Sequence, residues 1–229
     1  MAGGLDGVEV LITAGPTHEY LDDVRFLGNP STGRMGVELA EAARAKGAIV
    51  TLVIGPTHLS PPPGIHWVPV VSASDMLKAV KERFDDCGVL IAAAAVSDYR
   101  PAVRVEGKIK KGSKTKTLDL VKNADVLKTV TRKRRKDQVI VGFSLEATNA
   151  LKNGRKKMEA KHCDLMVVNG PGHFGEAREH VWILNKRGVV KEVPPSSKRQ
   201  VAEAIVELVD ASLRREVLHV TKRFEDKSK

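Results

Sequence analysis

Three stretches of this chain combine residue types that could bind anions and activate an acyl or phosphoryl group. The first is Ala14-Gly-Pro-Thr17, followed by the run from Arg25 through Asn29, Ser31, Thr32 and Gly33 to Gly36. Gly33 and Gly36 flank an expected helix start, where unpaired backbone N–H groups and the helix dipole favour a phosphate or carboxylate. Ser31 and Thr32 can cap that helix or offer hydroxyls to a phosphate. A capped helix after a turn is the plain alternative. The stretch lacks GxGxxG and GxxxxGK(S/T), so it is neither a dinucleotide fingerprint nor a P-loop. The second stretch, Ala92-Ala93-Ala94-Ala95-Val-Ser-Asp98, ends an apolar run in small side chains that let a ligand approach the backbone. Asp98 at its lip suits a ligand hydroxyl or amide, or else a structural turn. The third, Glu106-Gly-Lys108-Ile-Lys-Lys111, carries a lysine on a segment that could close over phosphates and offset charge in a transition state. A flexible basic loop without a partner would read the same way. Lys157 and Lys161, four apart, share a helical face, as solvated lysine pairs do.

These side chains need a frame, and the apolar periodicity supplies one. Residues 8–13 read as a buried strand, 33–46 as a helix closed by Gly47, and 48–54 as a second strand. Pro61-Pro62-Pro63-Gly64 marks a loop before a strand at 65–71, and Ser72 or Ser74 could cap a helix through Phe84. A strongly apolar strand at 88–95 suits the sheet centre. The polar, Lys-rich residues 96–118 are too long for an ordinary connection and read as functional or mobile. Helices at 123–134 and 147–161, strands at 138–143 and 164–168, a hairpin at 180–193 and a helix at 197–216 complete the pattern. The expected fold is α/β: a Rossmann-like three-layer sandwich, with a mostly parallel central sheet, helices on both faces and a mobile basic loop. Without repeats or linkers, residues 1–229 read as one domain with an ordered core at about 8–217 and a charged tail that frays beyond 220. Ligands bind beyond the carboxyl ends of such strands, so Asn29, Asp98 and Lys108 are expected to border one crevice.

Composition bounds the function. Hydrophobic residues at 42% with aromatics at only 4% suit a sheet flanked by helices better than an aromatic-rich sandwich. No apolar run approaches the roughly 20 residues that cross a bilayer, and the N-terminus lacks signal-peptide character, so a cytoplasmic protein without membrane contact is expected. Cys87 and Cys163 stand far apart and read as reduced core thiols. The net charge of +10, from 38 Lys+Arg against 28 Asp+Glu, favours anionic partners. The run Arg132-Lys-Arg-Arg-Lys136 reads mostly as a solvated helix face, and it lacks the interleaved aromatics of a single-strand nucleic-acid binder.

In combination, AGPTHEYLDDVRFLGNPSTGRMG, AAAVSDYRP, GKIKK, KNADVL, VGFSLEA and CDLMVVN resemble the phosphopantothenoylcysteine synthetases over about residues 8–215. In many bacteria that activity is the C-terminal half of a bifunctional coenzyme A enzyme. The resemblance implies a phosphopantothenate–cysteine ligase that passes through an acyl-nucleotidyl intermediate. CTP is favoured over ATP, because the AGPT and KIKK segments look bacterial. It implies that Asn29 contacts the pantothenate carboxylate and the acyl intermediate. Ala94, Ala95 and Asp98 would hold the pantothenate arm, and Ala92, Ala93 and Ala94 would approach the nucleotide. Lys108 would serve acyl-nucleotide formation, and Arg25 would reach the substrate phosphate from a neighbouring subunit, which implies a homodimer. Ala124, Asp125, Val126, Leu127, Phe143, Lys157 and Lys161 would line the nucleotide site, with Ser31, Thr32 and Gly33 as the phosphate cradle. No Asp/Glu cage is visible, so no protein metal ligands are expected and Mg²⁺ would ride largely on the phosphates. The chain begins just before the first strand, so no decarboxylase domain is expected; a stand-alone ligase and an excised domain both remain open. A short-chain NAD(P) oxidoreductase would want Tyr-x-x-x-Lys, whereas Val24 follows Tyr20 and Val103 follows Tyr99. A basic nucleic-acid-binding module rests on charge alone, and no nucleic acid is expected as partner.

Overall fold

Apolar runs that do not alternate with polar residues belong where a sheet is covered on both faces. In the computed structural model, which describes residues 4–112, 114–169 and 179–214, those runs form the middle of an eight-stranded sheet. The chain begins with β1 (Glu9–Ala14), β2 (Glu19–Tyr20), β3 (Phe26–Leu27), α1 (Arg34–Ala45), β4 (Ile49–Ile54) and β5 (His66–Pro69). It continues through α2 (Ala73–Phe84), β6 (Val89–Ala92), β7 (Tyr99–Pro101), β8 (Leu120–Lys122), α3 (Val126–Thr131) and β9 (Val139–Leu145). It closes with α4 (Ala150–Ala160), β10 (Leu165–Asn169), β11 (Glu179–Asn185), β12 (Gly188–Ser196) and α5 (Lys198–Leu213).

The sheet order is β12-β11-β10-β9-β6-β1-β4-β5, parallel except for the hairpin β11–β12. Side chains of a strand alternate between faces, so β1 sends Leu11 to one side and Val10 and Ile12 to the other. On the Ile12 side lie α1 and α5, packing Leu39, Ala40, Val201 and Ile205 against Leu52 and Val167. On the Leu11 side lie α2, α3 and α4, packing Met76, Val80, Val130 and Met158 against Leu90, Ile140 and Met166. The three-layer α/β expectation is met.

Topology places the site. From β1 the sheet grows one way through β4 and β5, whereas β6 pairs on the other side of β1. The junction of β1 and β6 is therefore the switch point, where crossover connections leave in opposite directions and a crevice opens beyond the strand ends.

Several boundaries differ from the sequence reading. The irregular stretch after β1 contains the antiparallel pair β2–β3, and the 96–118 segment contributes the pair β7–β8. Helix α3 starts at Val126 rather than 123, because the Asp125 side chain accepts the Lys128 N–H and sets the N-cap there. Helix α4 starts at Ala150 rather than 147, behind Asn149 in the left-handed region at φ 48. Ser72, not Ser74, caps α2 in a reciprocal box with Asp75. Residues beyond 214, including the expected end of the last helix and the tail, lie outside the described residues.

The basic run is not merely a solvated face. Arg134 donates to the carbonyls of His162 and Gln138 and pairs with Asp164 at 2.6 Å, while Arg135 donates to the carbonyls of Asp85 and Cys87. Both arginines therefore staple the amino ends of β6, β9 and β10. Cys87 and Cys163 are buried free thiols, which burial pushes up to about 12.

Gly36 lies in the first turn of α1 against the end of β1, where an added Cβ would stand 2.2 Å from Ala14 Cβ. Gly36→Ala is expected to destabilise the fold by about 1–3 kcal/mol through overpacking. A urea denaturation midpoint lowered at unchanged slope checks this, and an unshifted midpoint contradicts the close approach.

Candidate active site

Beyond their last sheet pairing, the chains leaving β1 and β6 stay side by side. Ala93 N donates to Thr13 O at 3.1 Å, Ala95 N to Gly15 O at 2.8 Å, and Ser97 N to Thr17 Oγ1 at 3.0 Å. The end of β4 packs closely on the same path and leaves no room for side chains. A Cβ on Gly55 would lie 1.6 Å from Pro16 O, and Gly15 sits at φ 73, where a side chain is strained. Asn29 comes onto the same seam, its side-chain amide donating to Ala95 O at 3.1 Å and Val96 O at 3.2 Å. Asn29 therefore stands beside the segment that carries Asp98, on the seam rather than in the cleft lining.

The seam borders a cleft of about 420 Å³. Thr13, Ala92 and Phe143 come from the ends of β1, β6 and β9, and Ala94, Val96, Ser97, Asp98 and Tyr99 from the chain after β6. The opposite wall is Lys122 to Lys128, the approach to α3 and its first turn, with Lys161 from the end of α4. Ala92, Ala94, Asp98, Ala124, Asp125, Val126, Leu127, Phe143 and Lys161 thus meet where a nucleotide site is expected. Asp125 works twice: Oδ1 caps α3 and Oδ2 holds Lys161 Nζ at 3.0 Å. Asn123 bridges the walls, donating to Ser97 O at 2.9 Å while its backbone N–H donates to Asp98 O at 2.8 Å.

Other expected residues lie off this lining. Ala93 and Ala95 form the seam itself. Lys157 is drawn to Glu146 at 2.6 Å, and Glu146 also accepts from Ser144 and Asn153. Burial alone would raise the Glu146 carboxyl, but those three donors outweigh it and hold it below its ordinary value. Ser31, Thr32 and Gly33 sit at the start of α1 without a side-chain cap on the helix. The two hydroxyls accept only from Gly33 N and Arg34 N, each at 3.4 Å. The capping role suggested for them is thus not the observed one.

Lys108 corrects the one-crevice expectation. It is exposed and does not line the cleft within this chain, because its flanking residues are tied to the turn before β3. Asp22 accepts from Ile109 N at 3.0 Å and Asp23 from Gly107 N at 2.8 Å. Arg25 is half exposed, pairs with Asp22 and donates to Ile109 O at 2.8 Å. The 96–118 segment is therefore anchored at 105–109, where a freely swinging loop was expected. Arg25 and the Lys108 loop form one local assembly.

Sequence reasoning missed Thr13, Lys122, Asn123 and Lys128 on the cleft wall, and the acids Asp22, Asp23 and Glu146 that hold Arg25, Arg104 and Lys157. The adjacent pair Asp22-Asp23 just before Arg25 was the available signal. Among the described residues, no three His, Cys, Asp or Glu side chains converge as a metal site, and no helix is long and apolar enough to cross a membrane.

A family model described as the DNA/pantothenate metabolism flavoprotein C-terminal domain matches residues 5–213. The coenzyme A biosynthesis bifunctional protein CoaBC of Bacillus subtilis (strain 168) is 42% identical over 213 residues, covering 90% of this chain and 52% of that protein. The chain thus spans about half the length of the curated relatives it matches. A crystal structure of the C-terminal domain of CoaBC superposes with a TM-score of 0.80 at 36% identity, covering 93% of this chain and all of that one. A Cab2 mutant in complex with phosphopantothenate-cysteine shares the fold at a TM-score of 0.75 and 18% identity, covering 91% of this chain and 88% of that one.

The Asp22 carboxyl gives a pH prediction. The Arg25 guanidinium first, then the backbone N–H groups of Ile109, Arg25 and Val24, outweigh burial and hold it well below its ordinary 3.8. The unfolded chain therefore takes up this proton first on acidification. The group's contribution is complete above about pH 5 and is lost as pH falls through 4 and below. The stability gap between the native protein and Asp22→Asn, measured by urea unfolding from pH 7 to pH 3, is expected to shrink toward the acid end. A constant gap contradicts the ion pair.

Proposed function

This chain belongs to the DNA/pantothenate metabolism flavoprotein C-terminal domain family, and we propose that it joins 4′-phosphopantothenate to L-cysteine for coenzyme A synthesis. The observation that carries this reading is the cleft at the β1–β6 switch point. Its small-residue seam, its Asp98 lip and the Asp125–Lys161 pair bring together residues from the AAAVSDYRP, KNADVL and VGFSLEA segments, with Asn29 hydrogen-bonded to the seam.

A carboxylate does not condense with an amine at neutral pH unless it gains a leaving group. In the proposed reaction a substrate carboxylate oxygen attacks the α-phosphorus of CTP, and pyrophosphate departs. The cysteine amine then attacks the acyl carbon, CMP leaves with the original carboxylate oxygen, and the ammonium proton is released. Ala92, Ala94, Ala124 to Leu127 and Phe143 would form the nucleotide surface, with Lys157 and Lys161 oriented by Glu146 and Asp125. Asp98 would take a ligand hydroxyl or amide. Asn29 stands beside the Ala95–Val96 peptides, where an incoming carboxylate or developing oxyanion would exchange with a carbonyl for its N–H groups. Ser31, Thr32 and Gly33 supply the anion-favouring helix start. Mg²⁺ would ride on the phosphates, in keeping with the lack of a carboxylate cage among the described residues, and would screen the repulsion between the two anionic substrates.

Arg25 and Lys108 would complete the site from a second copy of the chain. Exposed Val24, Phe26, Val103, Val105 and Leu120 surround that assembly and favour a covered face. Reduced thiols at Cys87 and Cys163 suit a cytoplasmic enzyme.

Incubation with 4′-phosphopantothenate, cysteine, Mg²⁺ and each nucleoside triphosphate in turn is expected to release CMP and pyrophosphate from CTP. Release of AMP instead reassigns the nucleotide, and no turnover with any of them removes the reading. Lys108→Gln is expected to slow pyrophosphate release without cysteine by about 100-fold; equal rates exclude Lys108 from that step. Sedimentation is expected to give a dimer, and a fully active monomer would rule out sharing of sites.

A further inference from the structure

Asp22 is a carboxylate with no exposed surface, and such a group is tolerated only when its oxygens are fully engaged. Its local partners are Val24 N at 2.9 Å, Arg25 N at 2.7 Å and the Arg25 guanidinium, which together would satisfy a self-contained turn. The remaining donor, Ile109 N, comes from 87 residues further along the chain. Asp23 repeats the device one residue on. Its side chain accepts from Gly107 N at 2.8 Å and Arg104 at 2.9 Å, while its own N–H donates to Gly107 O at 3.2 Å. Val105 N closes the contact on Leu21 O at 2.8 Å. The peptide N–H groups on either side of residue 108 thus end on two successive carboxylates, and Gly107 turns the chain between them at φ 74.

We propose that Asp22 and Asp23 are positioning residues that clasp the Lys108 loop, and that Asp22 ties that loop to Arg25 so that both cations enter the site as one unit. This rests on the ligase reading for what Lys108 does, but the clasp itself does not. A lysine ammonium on a four-carbon stem loses precision if its backbone wanders, and misplacement by about an ångström can cost on the order of 100-fold in rate. Fixing the peptides at 107 and 109 leaves only the side-chain torsions to be ordered. Because the Arg25 guanidinium holds both Asp22 and Ile109 O, a movement of either cation is felt by the other.

The test uses the intact chain with Asp22→Asn and Asp23→Asn, two near-isosteric changes that remove the charge. Two measurements are made on each folded variant. In limited trypsinolysis followed by mass spectrometry, cleavage after Lys108, Lys110 and Lys111 is expected to speed up by about tenfold or more as the loop leaves its clasp. In pyrophosphate release, kcat is expected to fall by about tenfold or more while KM for the nucleotide stays within about twofold, the pattern of a lost transition-state contact. Should Asp22→Asn not fold, Asp23→Asn carries both arms, since its side chain is half exposed. Unchanged cleavage overturns the clasp. Faster cleavage with unchanged kcat overturns the positioning role and leaves a purely structural one. An unmodified protein that releases no pyrophosphate sinks the ligase reading instead, and the cleavage arm then judges the clasp alone.

Discussion

Two backbones lying in hydrogen-bonding contact beyond the edge of their sheet set the terms for everything else in this molecule. The chains leaving β1 and β6 must run together from Thr13 and Ala93 to Thr17 and Ser97 before they part. Where that path leaves β1, the start of α1 and the end of β4 come in closely as well: a Cβ on Gly36 would meet Ala14, one on Gly55 would meet Pro16, and Gly15 lies against Gly55. The same closeness leaves room beside the seam, because small side chains cannot fill the space between the strand ends. A crevice here follows from the packing rule that also makes the sheet stable.

Charge is arranged by a second rule. Four cations in and around the crevice are met by carboxylates of the same chain: Lys161 by Asp125, Lys157 by Glu146, Arg25 by Asp22 and Arg104 by Asp23. Partly exposed pairs of this kind contribute only about 0–1 kcal/mol each to stability. Their value is directional, since a paired lysine or arginine presents its remaining N–H groups along a fixed line. The formal charge of +10 is thus a poor guide to free basic surface. Within the run at 132–136, two arginines are consumed by backbone carbonyls, which weakens a nucleic-acid reading built on that run.

Much of the frame was legible in the sequence, because burial leaves a local trace. Val10-Leu11-Ile12 and Val139-Ile140-Val141 are unbroken apolar runs, and the helices carry their caps in plain view at Ser72 and Ser197. The pairs β2–β3 and β7–β8 escaped notice because strands of two or three residues show no periodicity. The start of α3 was misplaced because the choice between 123 and 126 rests on one hydrogen bond that the Asp125 side chain accepts from Lys128 N–H. The cleft wall from Ala124 to Leu127 was marked beforehand through motif resemblance. The setting of Lys108 was not, since contacts with acids more than eighty residues away leave no mark on the loop itself.

In the proposed reaction this crevice activates a carboxylate by joining it to the α-phosphorus of a nucleotide. Phosphopantothenate labelled with oxygen-18 in its carboxylate tests it most directly, with the products of one turnover read by mass spectrometry. The account predicts one labelled oxygen in the phosphate of the nucleoside monophosphate and the other in the new amide. Label in inorganic phosphate, or a monophosphate free of it, would contradict the account.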